Sequence, residues 1–430
     1  MGECRSIRRG HKAVVPFVAA WLSIVVGACG GEGAGPVGPE EPPSDEEVAP
    51  LPRFASVTAG GVHTCALSVD GEAYCWGPNN LGQLGTETDE RCPMGEMDSD
   101  GIGTGAIVNA PCSTTPVAVS GGHVFARLVS HNWYTCGLTE AGEAFCWGQN
   151  HVGQLGDGTQ EARSSPRPVA GGDRFRTLSL AGGVTCGLTL SDELLCWGSG
   201  PYPDWQSSVP VPVAPEHRFR LLATSGGHTC GVTLDSTTLC WGWNSSLQLG
   251  VDTVSTTCIS HDRVFPCTDV PQRVTDEIPF TTLAVNVGYT CGLADGGRAY
   301  CWGSNRWGQL GDGTLEDRAQ PLPVMGERAF SSITTGRSFV CALDAEGATY
   351  CWGRDSGNFG LGRNWGGSVP EPVAAAPGHR FVSLSAGHSH VCGLDGEGIV
   401  YCWGGNTWGQ VGNGNRLESV LRPVRVAGQQ

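Results

Sequence analysis

The chain has 430 residues, a formal net charge of −16, 66 glycines and 27 prolines. That much turn chemistry does not suit a helical protein, and 14 tryptophans are enough to pack a core, which excludes a disordered polymer. A surface this acidic repels phosphate backbones, so no nucleic acid is expected as a partner.

Residues 1–28 read as an export signal. Arg5, Arg8, Arg9 and Lys12 precede the apolar run Ala13 to Val26, which is too short to span a bilayer comfortably. The run ends in Val26, Gly27, Ala28 and Cys29. This resembles the lipobox of bacterial lipoproteins, an aliphatic residue and two small ones before the cysteine that takes lipid. The resemblance implies cleavage before Cys29, lipidation of Cys29 and a lipid anchor in a membrane.

Residues 29–50 follow as an acidic, Gly/Pro-rich tether with no base and no aromatic residue. Such a segment buries too little apolar surface to fold and repels itself into an extended spacer. Residue 30 is Gly, not the Asp that holds enterobacterial lipoproteins at the inner membrane. By that analogy the protein is expected at the cell envelope, on the outer membrane of a Gram-negative bacterium.

Residues 51–430 are one repeat array. Cys-Trp-Gly occurs at Cys75, Cys146, Cys196, Cys240, Cys301, Cys351 and Cys402, each time with another cysteine ten residues earlier. The period is about 50 residues. Around each pair run a Pro-Val segment, an Arg-Phe with apolar alternation, a Gly turn into each cysteine strand, and a Gly-Gln-Leu-Gly loop. Short alternating runs between Gly, Pro, Asn and Asp predict four strands per unit, and units of four strands around a ring make a β-propeller.

Phrases such as "HTCALSVDGEAYCWGPNNLGQLG" (His63 to Gly85) resemble the repeat of the regulator of chromosome condensation family. The resemblance covers the whole of 51–430 and implies an all-β, seven-bladed propeller. The chain ends at a Pro-Val segment and its folded part starts at the next segment of the unit, Arg53-Phe54. This predicts that the C-terminal strand near Val424 joins the N-terminal blade, which takes three further strands from Phe54 onward and so hides both sheet edges.

Export predicts disulfides. Seven pairs at a spacing of ten are expected to face each other across the inner hairpin of each blade: Cys65–Cys75, Cys136–Cys146, Cys186–Cys196, Cys230–Cys240, Cys291–Cys301, Cys341–Cys351 and Cys392–Cys402. Four cysteines remain in the two long inter-repeat segments and pair as Cys92–Cys112 and Cys258–Cys267. Zinc and redox sites use shorter spacings than ten.

No catalytic constellation stands out, and no cofactor or metal is expected. His63, His228 and His390 occupy one slot of the repeat, two residues before the first cysteine. Tyr134, Val184, Tyr289 and Phe339 fill it elsewhere, so it reads as a packing position. Asp98 to Gly101 lacks the further ligands of a calcium loop. The informative positions are departures from the repeat. Tyr202 and Trp205, in the unit without a Gly-Gln-Leu-Gly loop, are candidate exposed aromatics of a binding face. The loop Asn79 to Cys112 is a second candidate.

The expected function is a non-enzymatic scaffold presenting rim loops to an envelope protein or a surface glycan. A hydrolase or lyase site at the propeller channel is the rival. Nucleotide exchange, which the family's namesake performs, does not suit an exported protein.

Overall fold

The structure, a computed structural model, describes residues 50–97, 103–200, 205–260, 263–275, 277–364, 366–416 and 419–429. The export signal, Cys29, the tether up to Ala49, the Asp98 to Gly101 segment and Tyr202 lie outside them.

Seven antiparallel sheets follow one another at 54–118, 127–168, 175–212, 219–275, 280–323, 332–375 and 383–425. Each pairs four strands in chain order. The first and fourth sheets carry a fifth, because Arg91–Met97 folds back on Gly103–Ala118 and Thr256–Ser260 on Arg263–Thr275. First strands pack on first strands around a closed ring, so they line the axis of a seven-bladed propeller.

Each letter of Cys-Trp-Gly has a separate physical task. The cysteine stands directly opposite its partner on the preceding strand, as Cys65 does to Cys75. All seven such pairs are disulfides with Cα atoms 4.0–4.2 Å apart. That is the narrower kind of opposed pair in an antiparallel ladder. They join the second and third strands, so the stapled hairpin is the middle of the blade; the innermost strand is the one before it. Cys92–Cys112 and Cys258–Cys267 close the two extra hairpins.

The tryptophan belongs to the next contact. Trp147 packs into the cluster of Cys65, Cys75, Leu84 and Phe125 from the blade before it, and each following blade repeats the arrangement. Six of the seven indoles also donate to a backbone carbonyl in the preceding blade's loop. Trp147 reaches Gln83 O at 3.2 Å, Trp352 reaches Gln309 O at 3.0 Å and Trp403 reaches Asn358 O at 2.9 Å. The Gly-Gln-Leu-Gly loop is therefore a clasp between blades. Trp241 follows the blade that lacks this loop, and no such bond is seen for it among the described residues.

The glycine sits at a register shift between the third and fourth strands in every blade. At Gly353 φ is +99°, and a Cβ there would lie 2.6 Å from Ser338 O. Gly378 has a similar φ of +89° but nothing within 4 Å of the Cβ position. Gly378→Ala is thus expected to cost about 1–2 kcal/mol from backbone strain alone, and Gly353→Ala about 3 kcal/mol or more. Denaturant midpoints of the two variants check this; equal losses would show that the close approach does not matter.

The ring does not close as expected. The last strand, Ser419–Arg425, pairs with Val400–Gly405 in its own blade, and the first blade takes its fourth strand from Gly103–Ala118. The Pro-Val segment ends a blade instead of beginning one. Closure uses the same clasp as every other seam: Trp76 Nε1 donates to Gln410 O at 3.0 Å, and Trp76 packs with Val411 and Cys402. The termini add a backbone bond from Leu51 N to Gly428 O at 2.9 Å, and the Gln429 amide donates to Gly398 O at 3.1 Å. With an identical inter-blade contact available at the seventh seam, strand exchange is unnecessary.

Candidate binding face

The strand order puts the first-to-second and third-to-fourth turns of every blade on one face of the ring, and the other turns on the opposite face. The opposite face is regular: short turns carry acids such as Asp70, Glu346 and Glu397 at equivalent places. The first face carries both extra hairpins and every described tryptophan outside Cys-Trp-Gly. The departures from the repeat therefore converge on one side.

At the axis of this face the first turns touch. Gly61 N donates to Asn132 O at 3.1 Å, His388 N to Gly61 O at 3.2 Å and Arg337 N to His388 O at 3.4 Å. The His131 and His388 rings meet edge to face, 6.0 Å between centroids. Burial lowers the His131 pKa to about 3 and that of His388 to about 4, and their mutual proximity adds to the effect on His131.

The slot two residues before the first cysteine proves to be an inter-blade bond. His390 Nε2 meets Thr64 Oγ1 at 2.9 Å, His63 meets Thr135 Oγ1 at 2.8 Å and His228 meets Thr290 Oγ1 at 2.7 Å. Tyr134 and Tyr289 donate from the same slot to carbonyls of the next blade, at 2.9 Å to Ala181 O and 2.8 Å to Phe339 O. Thr64 gives its own proton to Gln410 O at 2.8 Å, so it accepts from His390, which fixes the Nε2–H tautomer there. Burial then lowers the pKa of His63 to about 4 and those of His228 and His390 to about 3. Among the described residues the one group of three potential metal ligands that converge is Glu90 with Cys92 and Cys112, and both sulfurs are bonded to each other.

The first blade's extra hairpin ties three blades together. Trp408 of the last blade packs on the Cys92–Cys112 disulfide, and its ring lies 5.5 Å from that of Trp133 in the second blade. The fourth blade's hairpin leans on Trp243, whose ring is 4.9 Å from Phe265, while Ile259 and Val264 stand opposite each other near its tip, 62% and 65% exposed. Trp205 is a correction. It is half-buried against the core shared by the third and fourth blades, which includes Ala181 and Phe219, and its ring covers Gly200, so it is not an exposed aromatic. Trp133, Trp408 and Trp243 are the aromatics that sequence reading missed. Trp133 alone carries a signal, since it interrupts an otherwise small or aliphatic position of the repeat; the position of Trp408 also holds Trp307, and that of Trp243 holds Gln149 and Arg354 in other blades.

Two family models match, both described as the regulator of chromosome condensation (RCC1) repeat: one at residues 70–126, 141–190, 296–343, 346–394 and 397–430, the other at 54–83 and 381–410. The unmatched stretch between 191 and 295 contains the last two strands of the blade without the clasp loop and the whole blade with the second hairpin. The ultraviolet-B receptor UVR8 of Arabidopsis thaliana is 27% identical over 394 residues, 90% of this chain and 73% of that protein. The probable E3 ubiquitin-protein ligase HERC3 of Homo sapiens is 32% identical over 113 residues, but these are only 9% of its length. Among solved structures, human WBSCR16 superposes with a TM-score of 0.69 at 17% identity, covering 83% of this chain and 94% of that one. Yeast RCC1 (Prp20), solved bound to Kap60, gives 0.64 at 18%, covering 78% of each. At these identities the structures show a shared fold alone.

Proposed function

The chain belongs to the regulator of chromosome condensation repeat family, and from that premise we propose that it is a non-enzymatic interaction scaffold of the cell envelope, presenting its loop-rich face to a protein or surface glycan. The observation that carries this reading is the asymmetry of the two faces. Regular acidic turns occupy one; both disulfide-closed hairpins and the non-repeat tryptophans occupy the other. A rigid ring with irregular loops on one side is how propellers build recognition surfaces. The yeast relative was solved in complex with Kap60, and another structure of that propeller describes its binding to Gsp1p and histones. Those partners belong to that protein; what is taken over here is the use of the propeller as a docking platform.

The envelope part rests on the signal-like N-terminus and on Cys29. Metabolic labelling with a fatty acid is expected to mark the full-length protein and to fail for Cys29→Ala. Labelling that survives the substitution would remove the anchor from the proposal. For the face itself, crosslinking capture at the envelope is expected to recover a partner with the intact protein. The partner should be lost when residues 94–110 are replaced by a short Gly-Ser turn between Cys92 and Cys112. Equal capture by both forms would place recognition elsewhere.

A further inference from the structure

We infer that Arg306 and Arg354, held against Trp307 at the seam of the fifth and sixth blades, form a site for an extended acidic segment of a partner protein. This deepens the scaffold reading by naming a partner chemistry. The Arg306 guanidinium carbon lies 5.4 Å from the centroid of the Trp307 ring and that of Arg354 4.5 Å from the same centroid. Both arginines are exposed, and among the described residues neither is ion-paired. Arg163, Arg174, Arg176, Arg218 and Arg318, by contrast, each hold a carboxylate of this chain.

The site is built on rigid elements. Trp307 rides on a turn whose Gly308 N donates to Asn305 O at 2.9 Å, and the buried Asn305 side chain accepts from Leu310 N at 2.9 Å. Arg354 N donates to Ser338 O at 2.8 Å, which sets it beside the exposed Arg337. The nearby carboxylates are engaged: Asp312 with Arg318 at 3.0 Å, and Asp317 accepting from Asn305 N at 2.7 Å.

Trp408 occupies the same loop position two blades on, but it packs on a disulfide and on Trp133. Trp307 carries arginines instead. A guanidinium stacked on an indole keeps its fork of N–H donors free in the ring plane's neighbourhood and loses little freedom on binding, which suits bidentate recognition of carboxylates. Because both cations lie close to one centroid, they are no more than about 10 Å apart, a span that carboxylates at i and i+2 of an extended chain, about 7 Å apart, can bridge. The indole is taken by the two cations, so it does not offer the open stacking platform a sugar ring needs.

The test is direct binding by the purified propeller, which does not depend on where the protein resides. Fluorescence anisotropy with a labelled Glu-Ser-Glu-Ser-Glu peptide at low ionic strength is expected to show saturable binding. Arg306→Ala with Arg354→Ala should weaken it at least tenfold, Arg218→Ala on the opposite face should not, and the Gln-for-Glu peptide should not bind. Arg306→Lys, which keeps the charge but loses the fork, guards against a folding defect and should weaken binding by a smaller factor. Equal binding by the double alanine variant, equal binding of the Gln peptide, or binding of oligogalacturonate in place of the peptide would each overturn the inference. Failure of envelope capture with peptide binding intact would fault only the envelope reading.

Discussion

Refolded in reductant after full denaturation, the propeller is expected to lose on the order of 10 °C or more of its thermal midpoint relative to the oxidised protein. The seven blade disulfides each close a ten-residue loop. By loop entropy such a bond contributes about 2–3 kcal/mol, and seven of them together rival the stability of a whole domain, even with incomplete additivity. All seven pairs are buried, at no more than 3% exposure. Reductant alone, without denaturant, is therefore expected to leave thiol titration silent, since the sulfurs are reached only after a blade opens. The double substitution Cys65→Ser with Cys75→Ser isolates one staple and should cost about 2–3 kcal/mol by denaturant midpoint. A reduced protein that melts within a degree of the oxidised one would show that the blades are held by packing alone.

Cys-Trp-Gly made the fold legible because its three residues act within or between neighbouring strands, where spacing of ten and a period of about 50 leave few geometries. The same regularity hid the phase. A closed ring of identical units reads alike from any starting strand, so the position of Pro-Val within a blade could not be told from the repeat. What decides it is the clasp from one blade's loop to the next blade's indole, and its acceptor is the backbone carbonyl of Gln83 or Gln410, which no residue type announces.

The face was legible only in part for a related reason. The hairpins show as insertions with paired cysteines. Trp205 was misread because an aromatic that breaks a repeat can fill space left by a missing loop, as its packing with Ala181 and Phe219 shows. The contact of Trp133 with Trp408 joins the second blade to the seventh across 275 positions of sequence and has no local signature.

The last expectation concerns acid. His63, His228 and His390 are wholly buried and each bonds through Nε2 to a threonine of the next blade. Their folded pKa values are lowered to about 4, 3 and 3 by burial. Free histidine in the unfolded chain takes a proton near pH 6.5. Above that pH neither state is protonated and the seams keep their full strength. As pH falls below it the unfolded chain gains protons that the folded chain refuses, so stability drops by about 1.4 kcal/mol per pH unit for each histidine. The loss continues until the folded groups themselves titrate. At pH 4.5 this amounts to about 2–3 kcal/mol for each, and on the order of 5–10 kcal/mol for the three, which approaches the whole stability of a domain.

Asp157 and Asp312 do not add to this window. Their hydrogen bonds to Thr159 and Thr314 and the adjacent arginines outweigh desolvation and hold them below the usual carboxylate value, so their contribution falls away only at still lower pH. Guanidinium titrations at pH 7.5, 6.0, 5.0 and 4.5 should therefore show midpoints that are level at the top and fall steeply below about pH 6. His390→Gln keeps a donor toward Thr64 and removes the titrating ring. His131 and His388, also lowered by burial, titrate in the same window, so the substitution should flatten about one fifth of the slope, at a modest cost at pH 7.5. A protein as stable at pH 4.5 as at pH 7.5 would mean that these rings take up protons while folded, and that the seams between blades admit water.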